Sequence, residues 1–173
     1  MIMPRGSDQL LLPARPLFIA VSLLVALALN LLPLGRLPGM PDWLAVVLVF
    51  WGVHQPRRVG IGWGFLFGLA MDVHQGALLG QHALAYTLLG FAATAIHRRL
   101  LWFGLAQQAL QVAPLFLVAH GVQLAVRLLA GDMFPGWWVF AAPVFESLLW
   151  PAAALVLLAP QRRAPDPDQN RPL

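Results

Sequence analysis

Residues 59 to 80 read VGIGWGFLFGLAMDVHQGALLG. Gly60, Gly64 and Gly68 recur every fourth residue and the next step lands on Asp72. On a helix this spacing sets three bare backbone positions and one carboxylate along a single stripe. Between helices inside a bilayer, hydrophobic exclusion drives little association, and close backbone approach at small-xxx-small spacing is a main source of it. The stretch therefore predicts a helix that presses on a partner helix, inside the bundle or in another chain, with Gly60, Gly64, Gly68 and Asp72 at the contact.

The rest of the chain fits a membrane setting. Of 173 residues, 60% are hydrophobic and only 10% charged, and long apolar runs recur between short charged clusters, the composition of the membrane class. The net charge of +4 comes from arginines that sit in small groups between apolar runs and form no basic face, so nucleic acid is not an expected partner. There is no cysteine, which removes disulfides, thiolate metal sites and thiol nucleophiles.

Taken in order, residues 1–15 form a polar tail and 16–34 a first apolar span. That run is long and its exit, LPLGRLPGMP, has no small-x-small cleavage site, so a retained helix is expected, not a cleaved signal. Further spans are expected at about 43–55, 59–72, 76–96, 100–129 and 137–159, followed by a disordered tail at 160–173. The second and third runs are short at ~1.5 Å per residue against a ~30 Å hydrocarbon core, so two extended spans and a re-entrant hairpin are both open, with two spans preferred. Pro114 predicts a kink in the fifth. With both termini cytoplasmic, the inner side holds Arg5, Arg15, Arg57, Arg58, Arg98, Arg99, Arg162, Arg163 and Arg171, and the outer side only Arg36 and Arg127. Nine against two is a positive-inside pattern. The expected fold is thus an all-α integral membrane bundle of six transmembrane helices.

Catalytic residues are not expected. Ser, Thr and Tyr are scarce, Lys is absent, and no nucleophile-elbow, zincin or P-loop pattern occurs. Asp72, His74 and His82 could converge on the turn after the third span, but polar residues at a wet turn need no metal, and neither a metal nor a cofactor is expected. The intramembrane polar groups are Gln107, Gln108, Gln111, His120, Arg127 and Glu146, and such groups are costly in lipid and face a bundle interior. Glu146 lies nine residues below Trp137, ~14 Å down, and His120 seven residues below Arg127, ~10 Å deeper than it. Depth matching therefore pairs Glu146 with His120, and Asp72 with Arg127. A structural role for Glu146 is expected, with a proton or substrate site as its alternative. The glutamines are expected to bond between helices.

Residues 41 to 85, PDWLAVVLVFWGVHQPRRVGIGWGFLFGLAMDVHQGALLGQHALA, resemble the signature region of the rod shape-determining protein MreD family of bacterial inner membranes. The resemblance rests on Pro41, Asp42, Trp43, Phe50, Trp51, Pro56, Arg58, Gly64, Phe65, Gly68, Asp72, Gly76, Leu79 and Gly80, taken in their order and spacing. The later stretches around Trp102, Gln107, Gln108, Trp150 and Pro151 are also similar, while Glu146 falls on no family pattern. The resemblance implies a non-enzymatic component of the cell-elongation machinery. Such proteins bind the bitopic protein MreC and through it link MreB filaments to RodA and its penicillin-binding transpeptidase, directing side-wall peptidoglycan synthesis. It also implies a fold similar to the substrate-binding subunits of energy-coupling-factor vitamin transporters. That likeness supplies the alternative of a small-molecule binding subunit, which would need a lined cavity.

Overall fold

A computed structural model describes residues 14–32 and 39–161. The expected tails before residue 14 and after residue 161, and the loop at 33–38 with Arg36, lie outside the described residues. Every regular element among the described residues is helical: α1 (Pro16–Leu31), α2 (Trp43–His54), α3 (Ile61–Gln75), α4 (Gln81–Leu100), α5 (Leu105–Leu129) and α6 (Ala141–Leu158), the last entered through a 3₁₀ turn at Trp137–Phe140. By length and composition, the 25-residue helical segments Leu105–Leu129 and Trp137–Gln161 suffice to cross a membrane; Pro16–Leu31 and Trp43–His54 are shorter apolar helices. This all-helical pattern with two candidate spans is consistent with an α-helical membrane protein.

α2 occupies the centre, packed on α1, α4 and α6. Nine of its residues, from Leu44 to Gly52 and Val53 with only Val47 half-buried, are out of contact with the surroundings. A helix surrounded on all sides has no polar face to show, which is why WLAVVLVFWGVH carries no charged residue. Its N-terminus is fixed by Asp42, whose side chain accepts from the Ala45 N–H at 2.9 Å, the usual N-cap geometry. Around it the interior is filled by Phe50, Trp51, Tyr86, Phe116 and Trp150. Both buried indoles find acceptors: Trp51 Nε1 donates to Ser22 Oγ at 2.8 Å and Trp150 Nε1 to Gln108 Oε1 at 3.1 Å.

The helix bounds differ from the expected spans in ways that turn chemistry explains. α3 starts at Ile61, not Val59, because Gly60 is its extended N-cap residue (φ −141°). It runs three residues past Asp72 and stops where Gly76 takes the left-handed conformation, φ +59°. α4 begins only at Gln81, after Gly80 at φ +106°. α5 is continuous across Pro114.

Candidate functional site

Among the described residues the α3–α4 pair is the most extensive helix contact, and glycines make it. A Cβ built on Gly64 would stand 2.4 Å from the Tyr86 carbonyl oxygen, and one on Gly68 would stand 2.3 Å from the Ala83 Cα. Side chains cannot enter there. Of the expected four-residue stripe, the two central glycines touch α4 directly, while Gly60 sits one residue before the helix as its N-cap and a Cβ on it would reach the Pro56 carbonyl at 3.7 Å. The stripe nevertheless extends through the other helix, since a Cβ on Gly90 would meet the Gly60 backbone at 3.4 Å.

Asp72 ends the same face, fully enclosed. Its Oδ2 accepts from the Gly80 N–H at 2.8 Å and the Ala83 N–H at 3.3 Å, and its Oδ1 accepts from the His82 N–H at 2.7 Å. His82 Nδ1 lies 2.9 Å from Oδ1. A carboxylate from α3 thus caps the N-terminus of α4, where unpaired N–H groups and the helix dipole favour negative charge. The glycines at 76 and 80 let the chain turn sharply enough to bring those N–H groups back to Asp72. Leu79, between them, is exposed. His74 points away into an exposed position, so of the three residues considered as metal ligands only Asp72 and His82 meet.

A second polar cluster joins five elements near the opposite end of α2 from the Pro56 turn. Asp42 Oδ1 accepts from Asn30 Nδ2 of α1 at 2.7 Å, and Asn30 Oδ1 in turn accepts from the Trp43 N–H at 3.1 Å. The Tyr86 hydroxyl of α4 donates to Asp42 Oδ2. The Asp42 N–H donates to Glu146 Oε1 of α6 at 3.0 Å, and His120 Nε2 of α5 lies 2.7 Å from that same oxygen. Glu146 is fully enclosed, and its Oε2 has no partner among the described residues. The depth match of His120 with Glu146 is therefore a contact. The match of Asp72 with Arg127 is not: Arg127 Nε reaches Asp132 Oδ2 at 3.4 Å, both side chains exposed to a large degree, because a loop carboxylate close in sequence is within reach and Asp72 is already satisfied by backbone donors.

Two further residues of the expected site, Gln108 and Arg58, find structural partners. Gln108 is enclosed, receives the Trp150 indole N–H and donates Nε2 to the Phe103 carbonyl at 2.9 Å. Gln107 is exposed and Gln111 half-buried, so among the expected interhelical glutamines the described hydrogen bonds show only Gln108 in that position. Arg58, in the turn begun by Pro56, donates Nη1 to the Ala14 carbonyl at 2.7 Å, tying the α2–α3 turn to the start of α1. Sequence reasoning missed the Asp42–Glu146 bond and the participation of Asn30 and Tyr86. Asp42 carries the N-cap signal ahead of an apolar run, but nothing local shows that its other groups face α4 and α6.

Comparison with known proteins gives one consistent result. Residues 13–161 match the family described as rod shape-determining protein MreD. The rod shape-determining protein MreD of Haemophilus influenzae is 31% identical over 135 residues, which cover 76% of this chain and 81% of that protein. No solved structure matches. A family match over most of the chain, together with a relative of this identity and coverage, places the chain in the rod shape-determining protein MreD family, a family of membrane proteins with a role in rod shape determination.

Proposed function

We propose that this protein is a non-enzymatic, multi-pass scaffold of the bacterial inner membrane that binds MreC and, through it, couples MreB filaments to RodA and its penicillin-binding transpeptidase, so that peptidoglycan is laid down along the side wall. Six spans with both termini cytoplasmic and an arrangement like the energy-coupling-factor substrate-binding subunits complete this reading. The observation that carries it is where the polar chemistry goes. Asp72 is used by the α4 N-terminus, and Asp42, Tyr86, His120 and Glu146 engage one another across helices. The groups that could act on a substrate hold the bundle together, which leaves the outer helix faces as the working surface. A bundle interior filled by Phe50, Trp51, Phe116 and Trp150 also favours a scaffold over a subunit that carries a small molecule in a central cavity.

Affinity purification of the full chain in a mild detergent, followed by mass spectrometry, tests the reading. MreC together with RodA is the expected recovery. An ATPase module with a bound small molecule would overturn it in favour of a transporter subunit. Depletion in a rod-shaped host without a compensating homologue should give round cells, and retained rod shape would count equally against it.

A further inference from the structure

Between α1 and α3 a groove of about 570 Å³ opens to the side of the bundle, lined by Pro16, Ile19, Ala20 and Leu23 on one wall and Trp63 and Phe67 on the other. Arg58 closes one end. From Pro16 to Leu24 the apolar wall runs for ~12 Å at the helical rise, close to the depth of one leaflet of a ~30 Å hydrocarbon core. The arginine end is built for an anion. The Arg58 guanidinium is held at the start of α1 by its bond to the Ala14 carbonyl, 2.7 Å, and has no acidic partner among the described residues. The α1 N-terminus beside it has Pro16 in its first turn and, among the described residues, no side-chain cap, and its positive dipole end adds to the charge of Arg58.

We propose that this groove is a lipid site: an acyl chain of an anionic phospholipid lies between α1 and α3 and its phosphate is bound by Arg58 at the α1 N-terminus. The charge at the groove's end selects this occupant over a partner helix. A single-pass helix entering from the cytoplasm carries basic residues at its inner flank, and these would meet Arg15, Arg57 and Arg58 with like charge. An anionic headgroup meets the same residues with opposite charge, and basic pockets between helices on the cytoplasmic side are the usual lipid-headgroup sites. Arginine's planar fork suits a phosphate. The proposal rests on the orientation given above, which sets the α2–α3 turn at the cytoplasmic face.

The test is native mass spectrometry of the full chain from mild detergent, titrated with phosphatidylglycerol and, separately, phosphatidylcholine. One phosphatidylglycerol should be retained in preference to phosphatidylcholine. Arg58→Gln should lower that retention about tenfold, the value of one charge-assisted hydrogen bond. Ala20→Phe, which fills the groove with Arg58 intact, should lower it as well, while Arg98→Gln, at the end of α4 and outside the groove, should not. Equal retention of the two lipids, or unchanged retention in both Arg58→Gln and Ala20→Phe, would overturn the proposal and indicate annular lipid only. Unchanged retention in Ala20→Phe with loss of a co-purifying membrane protein would overturn it in favour of a helix site. Orientation is read separately: the chain has no cysteine, so Arg57→Cys supplies a unique thiol, and its labelling by an impermeant maleimide from outside intact cells would reject the orientation without touching the lipid measurement.

Discussion

Gly68 approaches Ala83 so closely that a Cβ on the glycine would stand 2.3 Å from the alanine Cα. The atom it would strike is backbone, which cannot swing aside, so α3 and α4 must separate to admit any larger residue. Gly68→Leu is expected to lower the stability of the detergent-purified protein by about 1 to 3 kcal/mol or more, visible as a lower melting temperature and a reduced yield of the complex. Gly62→Ala provides the control on the same helix, since a Cβ there meets nothing within 4 Å; it should melt no lower than the parent, because alanine suits a helix better than glycine. Normal assembly and melting of Gly68→Leu would show that the two helices do not pack as described.

Asp72 gives a graded expectation. Its two oxygens accept three backbone N–H groups of the α4 start. Asp72→Ala leaves all three without their acceptor, those of His82 and Ala83 buried, and loss of a cap alone costs about 0.5 to 2 kcal/mol. Asp72→Asn keeps one acceptor oxygen and loses the charge that favours the helix N-terminus. The order of melting temperatures should therefore be parent, then Asn, then Ala. An alanine variant that melts with the parent would remove Asp72 from the capping role.

The glycine contact was legible in the sequence because it depends on a local rule, fourfold spacing on a helix, whereas the turn expected between spans ending at 72 and starting at 76 falls instead at 76–80, where Gly76 and Gly80 take the left-handed backbone. The helix itself starts two residues later than the expected Val59, since spacing alone does not say where a helix begins, and Gly60 serves as cap. Depth along a helix, at a fixed rise per residue, was enough to bring His120 and Glu146 together. It was not enough for Arg127, because depth says nothing of rotation about the helix axis or of nearer loop partners such as Asp132. The link from Asp42 to α4 and α6 depends on how α2 is enclosed by three helices, and that is a property of the packed bundle.

Orientation carries its own test. Reporter fusions after Arg58, Arg99 and Arg163 should read cytoplasmic, and fusions within 35–42, 73–75 and 130–136 periplasmic, as the arginine distribution requires. The bond from Arg58 to Ala14 adds that the α2–α3 turn and the start of α1 share one end of the bundle. A periplasmic signal after Arg163 would sink the six-span arrangement. A cytoplasmic signal at 73–75 would instead support a hairpin formed by α2 and α3.

Glu146 offers the sharpest separation between a structural and a chemical role. One of its oxygens, Oε1, meets both the Asp42 N–H and His120 Nε2, while Oε2 is buried without a partner among the described residues. Glu146→Gln retains an oxygen that can accept at the Oε1 position, so the proposed assembly with MreC, and rod shape, should persist. Glu146→Leu leaves two half-buried groups, the Asp42 N–H and the His120 ring, without their partner, and an unsatisfied group of this kind costs up to about 1 to 3 kcal/mol; melting temperature and complex yield should both fall. Removing the second partner as well separates the pair from its surroundings. The double variant Glu146→Leu, His120→Leu should recover part of the loss, because deleting both members of a buried polar pair is less costly than stranding one, and the shortfall from additivity measures their coupling. If Glu146→Gln assembles with MreC at parental yield but leaves cells round, the carboxyl does something other than hold α5 and α6 to the α2 N-terminus, and a proton-linked or substrate-binding role takes its place.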